Sequence, residues 1–140
     1  MGSKGASRGQ KERAVKILVA EDNYANRVFL VRLLEKHGHK AVGAEDGEQA
    51  LEELRKDNFD LLLLDVQMPV MNGIELTKLI REGAYPEIET ELPIIAVTAH
   101  AMRGDRERFL SAGMSWYLSK PLDVGDLFEI MSCVQDASTN

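Results

Sequence analysis

The chain is 140 residues long, with 17 Lys and Arg against 23 Asp and Glu, a formal charge of −6 and 44% hydrophobic residues. That length suits one domain, which buries roughly 68% of its unfolded surface and needs no disulfide or structural metal to hold a core. Cys133 is the single cysteine, which excludes an internal disulfide and any multi-cysteine zinc site. The apolar run Leu61 to Leu64 is cut off by Asp60 and Asp65, far short of the ~20 residues that span a bilayer. No signal peptide opens the chain, and the acidic balance argues against nucleic acid as a partner, so the expected location is cytoplasmic.

Residues 1–13 are small, polar and without period, which reads as a linker or cloning remnant, and 136–140 read as a tail; the folded domain is expected over 14–135. Val15 to Ala20 is the first strand candidate, ending in Glu21 and Asp22. Asn26, Leu30, Leu33, Leu34 and His37 then share one helical face, which stops at Gly38. Lys40 to Ala44 is a weaker strand. Asp46 can cap a second helix with Gln49 at the capping-box position, and Ala50, Leu51 and Leu54 form its stripe. Phe59 to Leu64 is apolar except for Asp60, as a strand covered on both faces reads, and it delivers Asp65 at its end. Asn72 can cap a third helix with Glu75 reciprocal to it, and Leu76, Leu79 and Ile80 face inward. A loop follows around Gly83 to Glu91. Pro93 to Val97 forms a fourth strand ending in Thr98, and a fourth helix from about Met102 to Ala112 stops at Gly113. Trp116 to Ser119 is a short fifth strand before Lys120 and Pro121. Val124, Leu127, Phe128, Met131 and Val134 trace a last helix.

Five strands alternating with five helices imply an α/β fold: a doubly wound parallel sheet, because each parallel pair needs a right-handed helical crossover. Ligands of such sheets bind beyond the carboxyl ends of the strands. There the sequence places Glu21 and Asp22, then Asp65, Thr98 and Lys120. Three carboxylates brought together repel one another and raise each other's pKa unless a cation sits among them. Mg²⁺ suits a site with few carboxylates that keeps waters and a phosphate oxygen. With a cationic lysine and a hydroxyl added, the set is an apparatus for placing a phosphoryl group on an aspartate.

The stretches Ile17-Leu18-Val19-Ala20-Glu21-Asp22-Asn23, Leu64-Asp65-Val66-Gln67-Met68-Pro69 with Met71-Asn72-Gly73, Ala96-Val97-Thr98-Ala99, and Gly113 through Pro121 resemble the receiver domain of two-component signalling. The resemblance covers about residues 14–135. It implies a flavodoxin-like (βα)5 sheet of strand order 2-1-3-4-5. It also implies that Asp65 accepts phosphoryl from a phosphohistidine, and that Asp22, Asp65 and the Gln67 backbone carbonyl hold Mg²⁺ while Glu21 holds a metal-bound water. Thr98 and Lys120 would contact the phosphoryl oxygens, and Tyr117 would be the aromatic whose rotamer follows Thr98. The implied partners are a histidine kinase or histidine phosphotransfer domain upstream, and a downstream protein that reads the surface of the fourth helix, fifth strand and fifth helix. Glu at position 21, where Asp is commoner, leaves open whether that contact is direct.

Other residues have plainer readings. Asn26 projects near the acids or is an ordinary helix residue. His100 reads as a solvated loop residue, and His37 and His39 as surface groups. Met68 and Met71 pack local gaps or a partner's helix. Trp116 and Tyr117 alternate across their strand, so one faces in and the other out. A haloacid-dehalogenase-like phosphatase would need an acid where Gln67 stands. A flavodoxin-like flavin site would be repelled by Glu21 and Asp22, and no dinucleotide or nucleotide-triphosphate loop occurs. A pseudo-receiver would lack one of the five site residues. The expected function is a phosphoacceptor switch that turns over no external substrate, most like receivers attached to hybrid histidine kinases, with a free-standing regulator as the alternative.

Overall fold

The computed structural model describes residues 14–99 and 104–138. Its elements in chain order are β1 (Lys16–Ala20), α1 (Tyr24–Lys36), β2 (Lys40–Ala44), α2 (Gly47–Lys56), β3 (Leu61–Asp65), α3 (Gly73–Arg81), β4 (Ile94–Thr98), α4 (Asp105–Ala112), β5 (Trp116–Ser119) and α5 (Val124–Ser138). The strands pair in parallel in the order β2-β1-β3-β4-β5. The expected doubly wound sheet is therefore present.

Alternation along the central strands divides the core into two layers. Leu62, Leu64, Ile94 and Ala96 pack with Leu54 of α2, Leu76 and Ile80 of α3 and Phe109 of α4. Leu61, Leu63, Ile95 and Val97 pack on the opposite face with Leu30 and Leu34 of α1 and Leu127 and Met131 of α5. Because β3 and β4 are buried along their whole length, every second residue must be apolar on both sides, and the two layers lock the register. The polar ends of these strands are thereby delivered to one edge.

Capping sets where the helices begin. Asn72 and Glu75 form the full reciprocal capping box of α3, with bonds of 2.9 and 3.2 Å. At α2 the Asp46 side chain accepts from Gln49 N at 2.8 Å, but the Gln49 side chain reaches back to Glu45 N instead of the cap's own amide. Asn23 caps α1 by accepting from Asn26 N at 2.9 Å, which frees Asp22 from that role.

Several details depart from the sequence reading. On α1, Leu30 and Leu34 are buried, whereas Asn26 and His37 are exposed. His37 packs against Phe128 with ring centroids 4.3 Å apart and planes tilted by 31°, and His39 accepts from Val15 N at 3.2 Å, so both serve local structure. The helix α5 continues to Ser138, inside the stretch read as a tail, since neither Gly nor Pro interrupts it after Val134. His100 and the expected helix start at Met102 lie outside the described residues, as do residues 1–13.

Gly47, the first residue of α2, sets the distance between that helix and the β3–α3 loop. A Cβ there would stand 2.7 Å from Met71 Cβ and closer still to the Met71 carbonyl oxygen. Helix propensity alone favours Ala over Gly by about 1 kcal/mol. Here the clash prevails, and Gly47→Ala should destabilise the fold by about 1–3 kcal/mol, read as a lower urea midpoint at unchanged slope.

Candidate functional site

The carboxyl ends of β1, β3, β4 and β5 bring five predicted residues together. Glu21 follows β1 and is held by Glu21 N donating to Ala44 O of β2 at 3.0 Å. Its side chain is folded back, because Glu21 Oε2 accepts from Asn23 N at 3.0 Å. Asp65 ends β3, and its Oδ1 accepts from Gln67 N at 3.0 Å. Thr98 ends β4, is buried, and through its carbonyl accepts Lys120 N at 2.8 Å, which fixes where the lysine leaves β5. Carboxylate oxygens of Glu21, Asp22 and Asp65 all lie within 4.8 Å of one another.

Lys120 closes the cluster. Its Nζ stands 3.3 Å from Glu21 Oε1 and 3.3 Å from Asp65 Oδ2. Glu21 and Asp65 are buried while Asp22 is exposed, so the cluster opens to solvent on the Asp22 side. Burial pushes the Asp65 carboxyl up to about 6; the Gln67 amide and Lys120 oppose this, and the Glu21 charge adds to it. Burial also works against the Lys120 charge, yet the two carboxylates outweigh it and hold that ammonium above its ordinary value. The same attraction acts on both partners, but lysine has two counter-charges and Asp65 has one. An all-oxygen set of hard donors with surplus negative charge fits a small divalent cation.

The β3–α3 loop continues from Asp65 through a tight turn in which Met71 N donates to Pro69 O at 2.7 Å and Val70 takes φ +71°. Met68 is buried in the core layer, which settles it as a local gap-filler, and Met71 packs on the same layer. Asn26 is exposed and lines a groove of about 510 Å³ with Glu21, Phe29, Lys120 and Leu122. On β5, Tyr117 pairs with Ala96 and Trp116 with Ile95. Tyr117 consequently shares the Thr98 face, its ring 6.1 Å from that of Phe109 on α4, while Trp116 packs in the opposite layer.

Sequence reasoning passed over Arg27. Its Nη1 donates to Glu21 O at 2.8 Å, so a residue of α1 grips the acidic turn from behind.

The elevated Asp65 value has a definite sign for stability. In the absence of divalent cation the folded state binds the Asp65 proton more tightly than the unfolded chain, so this group favours folding below its ordinary value of 3.8, and that contribution is lost as pH rises through about 6. Asp65→Asn should therefore melt higher than wild type at pH 7.5, and the difference should shrink toward pH 4. Thermal melts in chelator at both pH values check this.

The family model of the response regulator receiver domain matches residues 17–132. The chain is 43% identical over 122 residues to hybrid signal transduction histidine kinase I of Dictyostelium discoideum, covering 84% of this chain and 7% of that protein. It is 37% identical over 122 residues to the polar-differentiation response regulator DivK of Brucella ovis, covering 86% of this chain and 97% of that one. The chain thus spans 7 to 13% of the length of the histidine kinases it matches. Among solved structures, the receiver domain of a sensor histidine kinase from Pseudomonas aeruginosa PAO1, with a magnesium ion coordinated in its active site cleft, superposes with a TM-score of 0.77 at 34% identity, over 88% of this chain and 98% of that one. The family model covers most of the chain, and the chain belongs to the response regulator receiver domain family.

Proposed function

We propose that this domain is a magnesium-dependent phosphoacceptor switch of a two-component phosphorelay, with Asp65 as the acceptor. The observation that carries the reading is the Lys120 ammonium held 3.3 Å from both Asp65 and Glu21 at the edge where the acids converge. An oxygen of Asp65 attacks the phosphorus of a phosphohistidine. The P–N bond breaks, the imidazole leaves with that electron pair and takes up a proton, and an acyl phosphate remains on Asp65. Lys120 already faces this oxygen and is placed to pair with the phosphoryl oxygens as their charge develops. Glu21, Asp22 and Asp65, with the Gln67 carbonyl, would hold Mg²⁺, which when bound neutralises negative charge on the transferring group.

Thr98 supplies the hydroxyl for a phosphoryl oxygen, and Tyr117 on the same sheet face carries that change to α4 through Phe109. The output surface of this reading is α4, β5 and α5, where a downstream protein would read it. A histidine kinase or a histidine phosphotransfer domain is the phosphoryl source. The match to hybrid histidine kinases supports a place within such a kinase; the match to nearly all of DivK favours, as a second reading, a stand-alone regulator. In either setting the domain is a signalling module whose chemistry is its own phosphorylation and dephosphorylation. No helix among the described residues is long and apolar enough to cross a membrane.

Incubation with acetyl phosphate and Mg²⁺ should add one phosphoryl mass that hydroxylamine removes. Asp65→Asn should take up none, and Lys120→Ala should slow uptake or uncouple it from Tyr117. A wild-type protein that stays unlabelled, or an Asp65→Asn variant labelled at the wild-type rate, would return the chain to the pseudo-receiver reading. Thr98→Ala should still be labelled, but amide shifts in residues 104–120 should respond far less than in wild type. An identical response in both proteins would break the proposed coupling.

A further inference from the structure

Arg27 is half-buried on the first turns of α1, and the cation-ligand reading leaves it without a role. Its Nη1 donates to Glu21 O at 2.8 Å and approaches Asp22 O at 3.5 Å, the two carbonyls of the acidic turn. To reach them the stem crosses β2 at Gly43, where an added Cβ would stand 3.0 Å from both Arg27 Cγ and Cδ and 3.6 Å from Nε. A glycine within a strand weakens the strand, and it is placed where another group must come close. The remaining holds on the turn come from elsewhere: Glu21 N donates to Ala44 O at 3.0 Å, and Asn23 N donates to the Glu21 carboxylate at 3.0 Å. Asp22 has an exposed side chain. The main chain of the turn therefore sets where that side chain starts and the range its carboxylate can reach.

We infer that Arg27 is a positioning residue for the paired acids, clamping the backbone of Glu21 and Asp22 so that their carboxylates face Asp65, and that residue 43 is glycine to let the arginine stem through. The inference rests on the reading of Glu21 and Asp22 as cation ligands. A guanidinium suits this task because its planar fork offers several donors in fixed directions, and its charge strengthens bonds to carbonyl oxygens. By engaging carbonyls and leaving the carboxylates alone, Arg27 orders the ligands without competing for their lone pairs. The guanidinium also lies 5.5 Å from the Tyr24 ring centroid, a contact within α1 that helps fix its position. A purely structural Arg27 would affect stability and leave cation affinity as it was.

The test is a calorimetric titration of the folded protein with Mg²⁺ alone, below the melting temperature of every variant, with amide shifts of Glu21 and Asp22 followed in parallel. Wild type should bind, and Asp22→Ala should lose binding; a wild type that binds no Mg²⁺ overturns the ligand reading itself. Arg27→Ala should weaken binding roughly tenfold, the usual scale for groups that orient a metal's ligands. Arg27→Lys keeps the charge and most of the stem, and should still weaken it several-fold. Gly43→Val, which suits a strand but fills the path of the stem, should reproduce the loss, and adding Arg27→Ala to it should bring no further loss. Should Arg27→Ala fail to fold, Arg27→Lys and Gly43→Val carry the same decision. Wild-type binding together with Arg27 variants unchanged within twofold overturns the positioning role, and so does an Arg27→Lys variant with wild-type affinity, which would leave only the charge.

Discussion

The repulsion among Glu21, Asp22 and Asp65 is the constraint on which the rest of this molecule turns. A parallel sheet fed by right-handed crossovers sends the ends of β1, β3 and β4 to one edge, and the sequence puts an acid or a hydroxyl at each end. Two of the three carboxylates are buried, where like charges interact most strongly. Lys120 answers part of that cost by standing between Glu21 and Asp65. Burial is the main reason Asp65 holds its proton to about 6, and the Glu21 charge adds to it; the negative charge that Lys120 leaves unbalanced is why a divalent cation has a favourable place here. The raised Asp65 value and the room for a cation both follow from gathering carboxylates at a largely buried edge.

Such an imbalance needs a rigid frame, or the acids would swing apart. Much of the frame is main chain. Asp65 takes the Gln67 amide, Glu21 takes the Asn23 amide, and Lys120 N is tied to the Thr98 carbonyl. Behind these bonds lie two layers of fully buried Leu, Ile and Val, whose displacement would open cavities at a cost of about 2–5 kcal/mol for a Leu or Ile truncated to Ala. The site sits on the least deformable part of the fold.

Much of this was legible in the sequence, because the signals are local. The all-apolar β3 and β4, the Asn72–Glu75 capping box and the acids at the ends of runs each follow from short-range spacing. What escaped depends on contacts across the chain. The reach of Arg27 to Glu21 O crosses β2, and the one hint was Gly43 inside a strand pattern. The facing of Trp116 and Tyr117 is fixed by which residue of β4 each one pairs with, a register that alternation alone leaves open. The return of Gln49 to Glu45 N in place of Asp46 N depends on the turn before the helix, which spacing does not encode.

A switch built on so stiff a base must move somewhere else, and in the proposed function that element is α4. Both its ends are glycines in the left-handed region, Gly104 at φ +93° and Gly113 at φ +109°, and Gly104 offers no side chain to cap the first turn. The C-terminal end is nevertheless pinned. Arg81 Nε donates to Gly113 O at 2.8 Å while Arg81 Nη1 holds Thr90 O at 2.7 Å, so the last turn of α4 is fastened to α3 and to the strand entry. In the proposed switch, a rearrangement at Thr98 would act on the N-terminal end of α4, with the Arg81 clamp as the pivot. Phe109 lies in the middle of that lever, against Tyr117. In the proposed switch, a small shift at the end of β4 would be converted into a tilt of α4 and a repacking of one aromatic pair, while the leucine layers beneath stay in register.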